Sequence, residues 1–150
     1  MAGRVEPAGV DLPDVNVWLA LSVPDHVHHA RARRYWFEEA AATVAFCRAT
    51  ALSFLRLSTL PAAMAGEPLT VAQAWQTYRQ FLELPDVILA VEPRDCDAYF
   101  GAWANRSDAR PKLWTDAYLA AFARAAAFRL VSFDKDFTSF EHPDLLRLEV

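Results

Sequence analysis

Apolar and polar positions change period several times along the chain. The clearest block is Thr70–Leu82, where Val71, Ala74, Trp75, Tyr78, Phe81 and Leu82 recur at i, i+3, i+4 and i+7. That spacing predicts a helix with one apolar stripe, and Thr70 with Gln73 has capping-box spacing at its start. Helices are also expected over His26–Ala40 behind Pro24-Asp25, over Thr50–Leu60 up to Pro61, over Asp95–Asn105 and over the alanine-rich Thr115–Phe128. The short apolar runs between them read as strands: Val10–Asp14, Thr43–Cys47, Val87–Val91 and Leu130–Phe133, with Leu146–Val150 as a final edge strand. Pro13 lacks an amide donor and weakens the first of these.

Strands alternating with helices predict an α/β fold, a three-layer α/β/α sandwich around a mostly parallel sheet. No repeat, low-complexity tract or linker divides the sequence, so residues 1–150 are expected to form a single domain. Ligands of such sheets bind beyond the carboxyl ends of the strands. Asp14 closes the first strand and Asp134 follows Leu130–Phe133, so both fall on that edge. The helix before this last strand must run antiparallel to it, which puts Asp116, in its first turn, on the same edge. Grouped carboxylates repel one another and need a compensating cation. Oxygen donors suit Mg²⁺ or Mn²⁺, and a metal held there polarises a phosphoryl oxygen and activates water. The three acids are therefore expected to be catalytic and metal-binding. Each also has a local alternative: Asp14 as a cap beside Asn16, Asp116 as a first-turn acid favoured by the helix dipole, Asp134 and Asp136 as turn residues.

Composition narrows the reading. The chain is 54% hydrophobic and 23% charged, which suits a globular protein. A net charge of −4 argues against a module that merely coats nucleic acid. The sequence has no apolar run long enough for a membrane helix and no signal-peptide core in its first residues. Cys47 and Cys96 stand apart, without zinc spacing. They read as reduced thiols of a cytoplasmic protein, with a disulfide between them left open.

The segments 14–20 (DVNVWLA), 115–121 (TDAYLAA) and 130–137 (LVSFDKDF) resemble the signature blocks of PIN-domain toxins, and most closely the VapC ribonucleases of toxin–antitoxin pairs. Residues 24–30 (PDHVHHA) and 54–57 (FLRL) resemble a mycobacterial-type branch of that family. The resemblance implies a PIN-like fold and Mg²⁺- or Mn²⁺-dependent endoribonuclease activity on structured RNA such as tRNA or rRNA. It implies a homodimer neutralised by a cognate VapB-like antitoxin that threads a segment into the acidic site. By position, Asp14, Asp116 and Asp134 match the family's metal-binding acids, and Asp136 falls where many members carry the aspartate of an Asp-Phe pair. One position departs: Ala51 stands where the family usually carries a glutamate, and no acid occurs between Glu39 and Glu67. Ala51 offers no group to bind a metal or orient water, which leaves open a catalytically weakened or inactive RNA-binding relative.

Other residues invite weaker readings. Asn16 and Ser132 flank the acids and could bond a metal-bound water, or simply the local backbone. Arg56, embedded in an apolar helix, could meet an antitoxin carboxylate or an RNA phosphate, or snorkel from a packed face. Arg31, Arg33 and Arg34 read as a solvated helix face rather than phosphate contacts. His26 and His29 are one turn apart but have no third ligand nearby. The stripe around Trp75 reads as core or dimer interface. An aspartyl-phosphate phosphatase acting through Asp14 ranks last, because Asn16 replaces the second aspartate such chemistry wants.

Overall fold

The computed structural model describes residues 9–140 and 144–150. Its centre is a five-stranded sheet of β1 (Val10–Pro13), β2 (Thr43–Phe46), β3 (Val87–Leu89), β4 (Arg129–Ser132) and β5 (Asp144–Arg147). The order is β3-β2-β1-β4-β5 and every pairing is parallel. The α/β sandwich expected from the pattern is thus observed. The helices are α1 (Val15–Ser22), α2 (His29–Arg34), α3 (Arg48–Ser58), α4 (Val71–Glu83), α5 (Cys96–Ala104) and α6 (Trp114–Ala126). None is long and apolar enough to cross a membrane among the described residues.

Strand side chains alternate between two cores. Leu12, Ala45 and Leu130 face a cluster with Trp103, Leu119 and Phe122 of α5 and α6. Val44, Phe46 and Val131 face the opposite cluster, with Trp18, Tyr35, Phe54 and Tyr78. Trp18 stacks on Phe46 with centroids 3.8 Å apart at 11°, and Phe81 meets Trp18 edge-on at 5.0 Å. Such pairs add about 0.5–1.5 kcal/mol each beyond their buried area. Most of the aromatic wealth is therefore core.

Several elements differ from the pattern. Residues 15–22 form a helix that no amphipathic signal marks, because Val17, Trp18, Leu19 and Ala20 are all buried in succession. The expected helix over 26–40 shrinks to α2 and then widens into a π-helical turn, Tyr35–Glu39, closed by Ala40 N–H to the Tyr35 carbonyl. The last strand begins at Asp144, two residues before its expected start, and is indeed at the sheet edge. Pro13 is tolerated at the end of an inner strand because the next amide, that of Asp14, makes the bond to the Val131 carbonyl at 2.8 Å. The capping box of Thr70 and Gln73 forms as its spacing predicts.

Candidate functional site

The strand order reverses between β1 and β4: one crossover series runs outward through β2 and β3, and the chain then returns to the other side of β1. The crevice at such a reversal, beyond the carboxyl ends, is where ligands enter open parallel sheets. Asp14 follows β1 directly and Asp134 follows β4 by one residue. Asp116 is the third residue of α6.

Asp14 caps α1. Its Oδ1 accepts from the Val15 amide at 2.7 Å and its Oδ2 from the Ser132 hydroxyl at 3.2 Å. The Ser132 oxygen in turn accepts from the Asp134 amide at 2.9 Å, and Asp134 Oδ1 from the Asp136 amide at 2.8 Å. Ser132 thus ties the two strand ends together. Asp136 occupies the 3₁₀ turn after Asp134. Both carboxylates are half-buried.

Asp14 is 7% exposed. Burial pushes its carboxyl above the usual range against the two donors, and the charge of Asp134 adds to the rise. Half-buried Asp116 is pushed up to about 6, first by burial and then by Asp14, Asp134 and Asp136. Among the described residues, no basic side chain is among the charges acting on either group. The acids are therefore within electrostatic reach of one another, with no balancing cation among the described residues.

The expected convergence is thus found as a shared acidic edge rather than a closed coordination shell. Among the described residues, no three acidic, histidine or cysteine side chains lie close enough to hold one ion as they stand. Asp14 and Asp134 instead accept from nearby amide and hydroxyl donors. The donor chemistry itself, oxygen only and in excess of positive charge, fits a hard divalent cation.

The other sequence candidates divide. Asn16 is exposed in the first turn of α1, beside the acids, and Ser132 is buried against Asp14. Arg56 is not brought to them. Eight residues along α3 put it about 12 Å from the edge at which that helix starts. Ala51 is fully buried in the cluster of Trp18, Phe46 and Phe54, where its methyl group contributes hydrocarbon only. His29 bonds the Ala20 carbonyl, His28 stacks on Phe133, and His26 accepts from the His28 amide, so the histidines serve local structure. Arg31 forks onto Glu39, and Arg33 lies over the Phe37 ring. Cys47 and Cys96 are buried free thiols, with burial pushing Cys96 up to about 11.

A second buried acid escaped the pattern. Asp11, near the amino end of β1, is fully buried and receives the Arg129 guanidinium at 2.8 and 3.0 Å, the Tyr35 hydroxyl at 2.6 Å and the Ala41 amide at 2.9 Å. The available signal was an acid and an arginine interrupting two apolar strands, VDLP and RLVS.

The sheet order and the acidic crevice, read with the sequence blocks, define a PIN-type nuclease fold. The chain belongs to the PIN domain family, whose sequence profile matches residues 12–143. More narrowly, it is a homologue of the VapC ribonucleases. It is 44% identical over 135 residues to Ribonuclease VapC41 of Mycobacterium tuberculosis, covering 86% of this chain and 92% of that protein. Its fold matches the crystal structure of Mycobacterium tuberculosis VapC20, described as a Sarcin-Ricin loop cleaving toxin, with TM-score 0.68 at 20% identity over 91% of this chain and 98% of that one. It also matches VapBC-1 from nontypeable Haemophilus influenzae, with TM-score 0.65 at 16% identity over 93% and 98%.

Proposed function

We propose that this protein is a Mg²⁺- or Mn²⁺-dependent endoribonuclease toxin that cuts structured RNA, tRNA or rRNA, in the cytoplasm. Asp14, Asp116 and Asp134 hold the metal, with Asp136 as an outer carboxylate. The observation that carries this reading is a shared edge of acids whose proton affinity is raised by burial and mutual repulsion, with no basic side chain among the described residues acting on Asp14 or Asp116. A divalent ion supplies that charge, and when bound it activates water and stabilises charge on the phosphodiester. Ser132 keeps Asp14 in place through its hydroxyl, and Asn16 stands where an RNA or antitoxin group would pass. Matches to toxin–antitoxin complexes support a VapB-like antitoxin as partner, and the family resemblance suggests a homodimer as the working form.

A second reading, a weakened or inactive RNA-binding relative, is favoured by Ala51, which places hydrocarbon where the resemblance expects a carboxylate. One experiment separates the two. Antitoxin-free protein is incubated with total RNA and Mn²⁺, beside an Asp116→Asn variant. Discrete cleavage that falls by roughly 10³-fold in the variant is the expected result. Intact RNA with wild-type protein, or equal cleavage by both, removes the nuclease reading.

A further inference from the structure

We infer that the groove between α5 and α6 is a second contact surface for the RNA strand, with Arg106, Arg110 and Arg124 meeting phosphates and Trp114 stacking on an unpaired base. The inference rests on the ribonuclease reading above and deepens it. Two hollows of about 240 and 280 Å³ lie side by side there, and Trp103 and Arg106 line both. Arg124 belongs to one, its guanidinium 4.1 Å over the Tyr99 ring. Arg110 and Ser139 belong to the other. In a chain of net charge −4, a groove whose charged lining among the described residues is three arginines and one acid, Asp108, is a local positive surface.

The groove adjoins the acidic edge. The Ser139 hydroxyl donates to the Asp136 carbonyl at 2.7 Å, and Leu113, on the groove wall, is followed at once by α6, which carries Asp116. An edge made of carboxylates repels a polyanion, so affinity for RNA has to come from beside it. Arginine forks match phosphate oxygens and supply that attraction. Arg106 already grips Asp108 through two bonds of 2.9 and 2.7 Å, but both groups are open to solvent. Surface pairs of this kind are weak, and a phosphate offers the same fork.

Trp114 is 52% exposed, two residues before Asp116, and stands edge-on to Trp103 at 5.3 Å and Phe100 at 5.6 Å. Its ring is held by neighbours while a large part stays open. Exposed aromatic faces beside arginines are how proteins seat unpaired bases of RNA.

The test uses the full chain and fluorescently labelled bulk tRNA in EDTA, titrated across a range of salt. Substituting all three arginines, Arg106→Ala with Arg110→Ala and Arg124→Ala, is expected to lower the slope of log K against log salt by about 2 and to weaken low-salt binding by about 100-fold. Trp114→Ala loses about tenfold and Trp114→Phe recovers most of it. Asp108→Asn removes an acid from the groove wall and tightens binding. Thermal melts of each variant confirm the fold.

Wild-type affinity and slope in the triple variant, weaker binding by Asp108→Asn, or no tRNA binding by the wild type overturns the inference. The nuclease reading fails separately. Groove-dependent binding with no Mn²⁺-dependent cleavage removes that reading and keeps the RNA surface. Cleavage with KM unchanged by the groove variants removes the surface and keeps the nuclease.

Discussion

Asp11 and Asp14 sit three residues apart at the two ends of β1, both buried, and the same neighbouring strand serves both. At the amino end, β4 supplies Arg129, and the Tyr35 hydroxyl and the Ala41 amide complete the set around Asp11. At the carboxyl end, β4 supplies only the Ser132 hydroxyl, and the next charges are Asp134 and Asp116. A buried carboxylate is tolerated when it is paired and hydrogen-bonded. The first end satisfies that requirement internally. The second leaves it to something that binds. One strand pair thus separates scaffold from site within a few residues.

The contrast predicts opposite responses to removing a charge. Asp11→Asn leaves the Arg129 guanidinium facing an amide inside the fold, and should cost about 3 kcal/mol of stability. For a chain of this length that lowers the melting temperature by roughly 6–12 °C. RNA cleavage per folded molecule should stay within about twofold, read at a temperature where both proteins are folded. Asp116→Asn should do the reverse, abolishing cleavage while raising stability at pH 7 by about 1 kcal/mol, a value discounted because the group is half open to solvent. Thermal melts and cleavage assays on the two variants check both statements. A stable Asp11→Asn protein would mean that the amino-end network is ornamental.

Much of this was legible in the sequence, and the reasons differ by residue. The edge shared by Asp14, Asp116 and Asp134 follows from strand direction alone, since a parallel sheet fixes which ends meet. The α4 stripe was plain in its spacing, although only Ala74 and Tyr78 are buried and Val71 and Trp75 at its amino end stay exposed. By contrast, α1 hides its period by burying four residues in a row. The π-turn at Tyr35–Glu39 depends on a tertiary partner, because Tyr35 reaches Asp11 across the layer. The Asp11 network needed strand register, Asp11 opposite Arg129, which no local pattern supplies. Arg56 likewise gave no position from its local pattern, because its distance from the edge depends on where α3 begins.

The two ends also titrate in opposite senses. Asp14 and Asp116 have folded values raised above those of the unfolded chain, Asp116 to about 6. Their protonated forms favour the fold, so this contribution is complete below the ordinary carboxylate range and is lost as pH rises through about 6. Glu39, at the amino end, is held low by its bond to Arg31. Its contribution is present above the ordinary carboxylate range and is lost as pH falls through the lowered value. In EDTA, melts between about pH 4 and 7 should therefore show the carboxyl edge costing up to about 1 kcal/mol as pH rises, after discounting for exposure. Asp116→Asn should flatten most of that slope, and saturating Mn²⁺ should do the same by binding the ionised form. An unchanged slope in both would mean that the acids do not feel one another.

The smallest expected effect tests whether the two ends are independent. Helix α6 stops at Ala127, which adopts a left-handed conformation with φ 56° and ψ 39°. The Phe128 amide returns to the Ala123 carbonyl at 2.8 Å, closing the turn that delivers Arg129 to β4. A side chain in that conformation costs about 1 kcal/mol, and glycine removes the cost while loosening the unfolded chain. Ala127→Gly should therefore raise stability by a net of about 0.5 kcal/mol. The turn touches only the amino end, so neither the pH slope set by Asp116 nor the cleavage rate should move. Distant sites without shared partners add their effects. A change in cleavage on substituting Ala127 would show that β4 carries strain from Arg129 to Ser132, and that scaffold and site are one mechanical unit.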